Sequence, residues 1–201
     1  MESPDFSKIT YPSISKLFKK EGITSPAELQ AVCYDGHREN YTEHQSFFEI
    51  NAPLSKVWEG YNTIHPAKCW NSRMVKFGMM YDRSKDKIHY EEDHYDGLKE
   101  GQVYLINLNI IGSYFQIAVA HETDEVNQEN YIIKLCYLNS GKTFGSQWIQ
   151  FEEKGKNKTL ITHKTLYKGT SFIRDKMMYP YFHSKAMKQF HHNMEKLITF
   201  G

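Results

Sequence analysis

Cysteine is scarce in this sequence. The 201 residues contain three cysteines, Cys33, Cys69 and Cys136, and no two of them have CxxC spacing. An odd number of distant cysteines is not typical of a disulfide-rich secreted domain or of a zinc site. We therefore expect free thiols in a reducing compartment. The N-terminus has no basic region followed by an apolar run, so we expect no signal peptide and a cytoplasmic location.

Long apolar runs and an excess of one charge are also lacking. No stretch approaches the roughly 20 apolar residues that span a bilayer, so we expect no membrane insertion. Lysine and arginine number 25 against 24 aspartate and glutamate, a formal net charge of +1. Such a balance creates no field that attracts nucleic acid. Lys16, Lys19 and Lys20 form a small basic patch, which a solvated helix face explains equally well. We expect no nucleic-acid partner.

The motifs of common enzyme and metal sites are missing too. GxSxG, GxGxxG and a complete P-loop do not occur, and Gly141-Lys142-Thr143 lies between predicted strands. His89 and His94 flank acidic residues, but their five-residue step matches no strong zinc motif. His183 and His191 share a helical face and are too far apart along it to hold one ion unaided. We expect no metal and no cofactor.

Aromatic residues, in contrast, are abundant: 14 Tyr, 12 Phe and 3 Trp. Large flat side chains with polar tips line ligand pockets well. They also fill the cores of β-rich domains, so composition alone leaves both interpretations open.

The last thirty residues predict a long amphipathic helix. Apolar side chains recur there at steps of three and four residues, with lysines and a glutamate between them. Pro180 marks the expected start, because a missing backbone N–H costs least in the first turn. A helix from there to Phe200 is roughly 30 Å long. Its apolar face requires a partner, so we expect it to lie across a sheet.

The second half of the chain predicts an antiparallel meander. Five segments are rich in β-branched and aromatic residues: Val103–Ile111, Tyr114–Thr123, Tyr131–Leu138, Phe144–Glu153 and Thr159–Tyr167. The links between them are short, which requires antiparallel neighbours. Gly112-Ser113 is a dipeptide typical of a tight hairpin.

The segments before the meander predict one strand, two short helices and another strand. His44–Ile50 is the first strand, and a helix opens after Pro53. A second helical piece is expected around His65–Trp70, and a strand over Arg73–Tyr81. Ile88–Tyr95 fits either a short strand or a loop.

Residues 1–42 are interpreted as an N-terminal helical extension of a single domain over 43–201. Ser13–Lys20 predicts two helical turns ended by Gly22. Ser25-Pro26-Ala27-Glu28 then predicts a cap and a short helix to about Tyr34. This extension has too few apolar residues to fold alone. It packs on the domain or on a second subunit, and in the latter case it forms a homodimer.

Two stretches resemble a known superfamily. Residues 47–58, in which a strand ends in Ala52-Pro53 and a helix opens towards Val57-Trp58, are similar to its opening. Thr159–His163 is similar to its closing strands. This is the START-like or Bet v 1-like superfamily (SRPBCC), also labelled polyketide cyclase/dehydrase and lipid transport, and the resemblance covers about residues 44–200.

The resemblance implies an α+β helix-grip fold. In it, a curved antiparallel β-sheet wraps around a long C-terminal α-helix, with two short helices after the first strand. Members include lipid carriers, hormone receptors, aromatic cyclases and coenzyme-binding chaperones. The fold therefore implies a cavity but not one reaction.

Strand alternation and helix periodicity together predict which side chains face that cavity. The expected ligand-binding residues are Tyr104, Tyr137, Phe151, His163, His183, Met187, Phe190 and Met194. Met74, Met79 and Met80 are further expected to be adaptable linings. We expect a hydrophobic ligand, lipid-like or aromatic and polyketide-like.

An enzyme in the same cavity is the alternative function. His163 with Tyr137 or Tyr104 could polarise a carbonyl or carry a proton in a cyclisation or dehydration. His163 and Tyr137 are thus the catalytic candidates. A lone histidine in a strand is also commonly a hydrogen-bonded structural residue, and the sequence does not decide between the two.

Overall fold

The computed structural model describes residues 2–111, 115–141, 143–169 and 179–201. The predicted hairpin at Gly112-Ser113 and the first part of the predicted C-terminal segment, 171–178, lie outside these residues. The described helices are α1 (Pro12–Glu21), α2 (Leu54–Thr63), α3 (Pro66–Cys69) and α4 (Tyr179–Phe200). Short 3-10 helices cover Phe6–Lys8, Pro26–Glu28 and Arg38–Asn40.

The described strands form one antiparallel sheet. They are β1 (Ala31–Val32), β2 (Thr42–Ile50), β3 (Val75–Asp82), β4 (Lys87–His89), β5 (Gln102–Ile111), β6 (Phe115–Asn127), β7 (Ile132–Leu138), β8 (Thr143–Glu153) and β9 (Thr159–Gly169). Their order is β2-β9-β8-β7-β6-β5-β3-β4, with β1 paired to the end of β7. The predicted meander is confirmed. Strand β6 runs four residues beyond its predicted end, because an irregularity between Thr123 and Glu125 lets it continue along β7.

Helix α4 packs on the concave face of this sheet. Ala186, Met187, Phe190, Met194 and Ile198 on one side of the helix are buried in a core shared with α2, α3 and the concave strand residues. The described part of the helix runs from Tyr179 to Phe200. The α+β helix-grip fold, with two short helices after the first long strand, is confirmed.

The N-terminal extension covers the opposite, convex face. Ile14 and Phe18 of α1 are buried against a second core that includes Tyr81 and Leu105. Gly78 allows this close approach, because a Cβ there would lie 1.9 Å from Cδ1 of Ile14. In this structure the extension therefore packs on its own domain, and the homodimer stays a prediction.

Three expectations for individual residues are wrong. The chain after Ser25 forms only the 3-10 turn, and Ala31 and Val32 then pair with Leu138 and Tyr137 as β1, so no helix reaches Tyr34. Pairing with an existing sheet outweighs a helix too short to be stable alone. Met79 lies in the convex core, because the irregularity between Phe77 and Met79 in the β3–β5 pairing shifts the alternation.

The third error concerns the cysteines. Cys33, just after β1, and Cys136 on β7 form a disulfide, with their Cα atoms 4.8 Å apart. Strand pairing brings together two residues that are 103 positions apart in sequence, which spacing alone does not reveal. Cys69 is a free, buried thiol. Cys33 and Cys136 are therefore not the expected free thiols, and the cysteines do not support a reducing compartment. Among the described helices, none is long and apolar enough to cross a bilayer.

Candidate functional site

A cavity of about 690 Å³ is lined by residues of the concave face of the sheet and of α4, and also by some residues on the convex side. Apolar side chains from β5, β6, β7 and β8 make up most of its wall, and residues of α1, α2, α3 and α4 also contribute. Members of this apolar wall include Trp70, Ile106, Leu108, Val119, Ile133, Leu135, Ile149, Met187, Phe190 and Met194.

Seven of the eight residues predicted to bind ligand line this cavity: Tyr104, Tyr137, His163, His183, Met187, Phe190 and Met194. Phe151 also points to the concave side, but it does not line the cavity. Its ring packs edge-on against Trp58 at 5.5 Å and Tyr61 at 4.7 Å, in the core under α2. Met74 and Met80 are likewise part of the concave core without lining the cavity.

Strand register explains why the polar lining residues meet. Tyr104 on β5 is directly opposite His121 on β6, which is opposite Tyr137 on β7. Residues directly opposite one another in a sheet point to the same face. The rings of Tyr104 and His121 accordingly stack at 5.4 Å. The Tyr104 hydroxyl donates to Oε1 of Gln102 at 2.6 Å.

A hydrogen-bonded histidine cluster forms the polar end of the cavity. Oε1 of Gln147 lies 2.9 Å from Nε2 of His163 and 3.1 Å from Nε2 of His183. Nδ1 of His163 lies 2.9 Å from Nε2 of His191. Nδ1 of His191 in turn lies 2.6 Å from the hydroxyl of Tyr61. We refer to Tyr61, Gln147, His163, His183 and His191 as the histidine cluster.

The amide oxygen of Gln147 fixes the tautomers in this cluster. It only accepts, so His163 and His183 both carry their proton on Nε2. Neutral His163 then accepts at Nδ1 from the Nε2–H of His191. His191 accepts at Nδ1 from the hydroxyl of Tyr61. Every bond has one donor and one acceptor without any charged ring.

Burial keeps these groups uncharged. It lowers the pKa of His163 and His183 well below the usual histidine value, and further lowering comes from neighbouring histidines. Burial lowers the pKa of His191 to about 3 and that of His121 to about 4. At neutral pH the polar end therefore offers neutral donors and acceptors to a ligand.

Tyr137 belongs to the same end of the cavity. Its hydroxyl hydrogen-bonds to that of Tyr179, and the ring of Tyr179 stacks on His183 at 5.1 Å. Thus the two catalytic candidates, His163 and Tyr137, share the concave face and connect through Tyr179, His183 and Gln147. Both ring nitrogens of His163 are already hydrogen-bonded, one to His191 and one to Gln147.

Sequence reasoning missed Tyr61, His191 and Gln147 as partners in the cluster. Gln147 alternates with Ile149 and Phe151 on β8, so its inward direction could have been read from the strand pattern. Tyr61 and His191 carry the periodicity of buried helix faces, which gives no sign of a polar role.

Among the described residues, one group of three potential metal ligands lies close together: Cys33, Asp124 and Cys136. Because the two cysteines form a disulfide, they cannot supply thiolates to an ion. His89 is buried at the edge of the sheet, whereas His94 is exposed beside Asp96.

Solved structures share this architecture across nearly their whole length. A norcoclaurine synthase mutant from Thalictrum flavum, in complex with a transition-state analogue, has a TM-score of 0.58 at 15% identity, covering 79% of this chain and 94% of that one. Ginseng major latex-like protein 151 from Panax ginseng has a TM-score of 0.56 at 12% identity, covering 80% and 99%. The chain has a Bet v 1-like fold.

At these identities the similarity of the Bet v 1-like domain shows the fold alone. No protein-family model matches the sequence, and no curated protein matches it either. A further structure of the Thalictrum flavum enzyme, in complex with dopamine and hydroxybenzaldehyde, has a TM-score of 0.57 at 14% identity and covers 84% of this chain and 96% of that one.

Proposed function

We propose that this protein binds a hydrophobic small molecule, lipid-like or aromatic, between the sheet and α4. The observation that carries the proposal is the cavity of about 690 Å³ with its mainly apolar wall. Ligand pockets commonly occupy about 300–1,000 Å³ and have few polar groups in an apolar lining. One group of polar lining residues is Tyr137 with Tyr61, Gln147, His163 and His183 of the histidine cluster, which supports a ligand with a neutral polar group at that end.

A neutral, apolar fluorescent probe, N-phenyl-1-naphthylamine, tests this proposal. Its fluorescence rises on transfer to an apolar site, so a saturable increase with the purified protein is expected. Val119→Trp fills the cavity from β6 and should lower probe affinity at least about tenfold, since a bulky ring occupies the space. Lys56→Trp, at an exposed position on α2, is the matched control and should leave the affinity unchanged. Equal binding by the Val119→Trp protein would place the probe elsewhere and contradict the proposal.

The alternative is a cyclase or dehydratase that acts on an aromatic or polyketide intermediate. The observation favouring it is the convergence of His163 and His183 on Gln147 at the cavity wall. The norcoclaurine synthase neighbour, seen with dopamine and hydroxybenzaldehyde, handles aromatic molecules in the same fold. A neutral imidazole can act as a general base. For His163 to take a proton, its bond to Gln147 or to His191 must first break.

Native mass spectrometry of the purified protein separates the two functions. A ligand that copurifies is extracted, identified by mass and returned to fresh protein. A carrier releases it unchanged, a dehydratase releases a product lighter by one water, and a cyclase releases an isomer of equal mass that chromatography distinguishes from the ligand. For the enzyme, His163→Gln should abolish the conversion and retain binding. Conversion at an unchanged rate in that variant would exclude His163 as the base.

A further inference from the structure

The cavity continues through the sheet to its convex side. The last pair between β6 and β7 is His121 with Tyr137. Within the described part of the chain, Phe115–Ala120 of β6 pair with β5 on one side and have no strand partner on the other. The cavity lining accordingly includes Val119, which faces α4, and also its neighbours Ala118 and Ala120, which face the other way. The side chains of these two alanines are small, so space remains on the convex side.

One face of α1 lines this convex part. Ser13, Lys16, Leu17 and Lys20 all contribute to the wall. Lys16, Leu17 and Lys20 follow Ser13 by three, four and seven residues, which places all four on one stripe of the helix. The hydroxyl of Ser13 is bonded to Oδ1 of Asn107 at 2.6 Å, which holds the stripe against β5. The lining also includes Leu138, Ser140, Gly141 and Thr143, from the end of β7 to the start of β8.

The charge of the lining is asymmetric. Among the described residues that line the cavity, Lys16 and Lys20 are the only formally charged ones, and none carries a carboxylate. Lys20 is paired with Glu21 at the surface. Lys16 is exposed and makes no ion pair or hydrogen bond to any described residue. At the other end, the histidine cluster is neutral. Among the described lining residues, formal positive charge is therefore found only on α1.

We propose that the ligand is an amphiphile with an anionic head, a carboxylate or a phosphate. Its apolar part lies between the sheet and α4, and its head lies under α1 near Lys16 and Lys20. This inference rests on the proposed function and adds the chemical class of the ligand and a role for the N-terminal extension. The attraction of exposed lysines is modest and is screened by salt, so the preference for an anion is strongest at low ionic strength.

Displacement of N-phenyl-1-naphthylamine by matched dodecyl compounds tests the inference. Dodecanoate and dodecyl phosphate carry an anionic head, dodecanol a neutral head and dodecyltrimethylammonium a cationic head. The anionic compounds should bind about fivefold or more tightly than dodecanol, and salt should reduce that difference. A stronger response to one anion identifies whether a carboxylate or a phosphate is preferred.

Charge-removing variants locate the head. Lys16→Gln combined with Lys20→Gln should lower affinity for the anionic compounds about fivefold and leave dodecanol and the probe unaffected. Lys19→Gln, on α1 but outside the cavity lining, is the matched control and should change nothing. Probe binding without any preference for anions, or a preference that survives the double substitution, overturns this inference alone. Failure of the probe to bind at all overturns the proposed function and this inference with it.

Discussion

Nδ1 of His163 on β9 lies 2.9 Å from Nε2 of His191 on α4. This bond joins the sheet to the helix that covers it, and His191 continues the connection to Tyr61 on α2. All three side chains are buried, so removal of one partner leaves a buried polar atom without its hydrogen bond. The contact therefore orients α4 as well as shaping the polar end of the cavity.

Replacing His191 by Phe should destabilise the protein by about 2–4 kcal/mol. Phe can keep the stacking on Phe48, which lies at a ring distance of 4.1 Å, but it leaves His163 Nδ1 and the Tyr61 hydroxyl without partners. The free energy of unfolding in urea measures the effect. His192→Phe, at the exposed neighbouring position, should change stability much less. Equal effects of the two substitutions would mean that the buried bonds add little.

Acid should destabilise the protein between about pH 7 and pH 5. Burial depresses the pKa of His163, His183, His191 and His121 in the folded state. The unfolded chain therefore binds more protons as pH falls below the ordinary histidine pKa of about 6.5, and stability is lost in that direction. Each histidine that stays neutral costs roughly 2 kcal/mol over this interval.

His121→Phe isolates one of these contributions. Its pKa of about 4 keeps His121 neutral throughout the interval, and Phe can occupy the stacked position beside Tyr104. The loss of unfolding free energy between about pH 7 and pH 5 should shrink by roughly 2 kcal/mol in the variant. An unchanged pH dependence would show that His121 binds a proton equally well in the folded protein and in the unfolded chain over this interval.

Reducing the disulfide should lower stability by about 4–5 kcal/mol in the chain-entropy account, because the bond closes a loop of roughly 100 residues. Cys33 and Cys136 are 103 positions apart. Urea unfolding with and without dithiothreitol measures the loss. The Cys33→Ser variant should have the stability of the reduced protein without any reductant, and dithiothreitol should not lower it further. If the stability of the unsubstituted protein is also unchanged by dithiothreitol, the Cys33–Cys136 disulfide is not formed in solution.

Gly78→Ala should loosen the N-terminal extension and cost about 1–3 kcal/mol. The added Cβ would lie 1.9 Å from Cδ1 of Ile14 and 2.9 Å from the carbonyl oxygen of Leu105. Proteolysis within residues 1–42 should become faster, together with a lower thermal midpoint. Gly141→Ala, where the nearest atom would be 3.7 Å from the new Cβ, is the control. If the two variants are cut equally fast, α1 is not held by this contact.

The sequence by itself determined the order of elements and the direction of most side chains. A period of two along β5 placed Tyr104 and Ile106 inside, and a period of 3.6 placed Met187 and Phe190 against the sheet. These assignments depend only on neighbours along the chain, which is why they could be made without coordinates.

Tertiary structure decided the contacts between distant segments. It paired Cys33 with Cys136, turned Met79 outward at a strand irregularity, and placed Phe151 in the core beside Tyr61 and away from the cavity. It also joined His163 to His191, two residues from separate elements. Such contacts depend on which distant elements meet and how they pack in three dimensions, and local periodicity does not specify either.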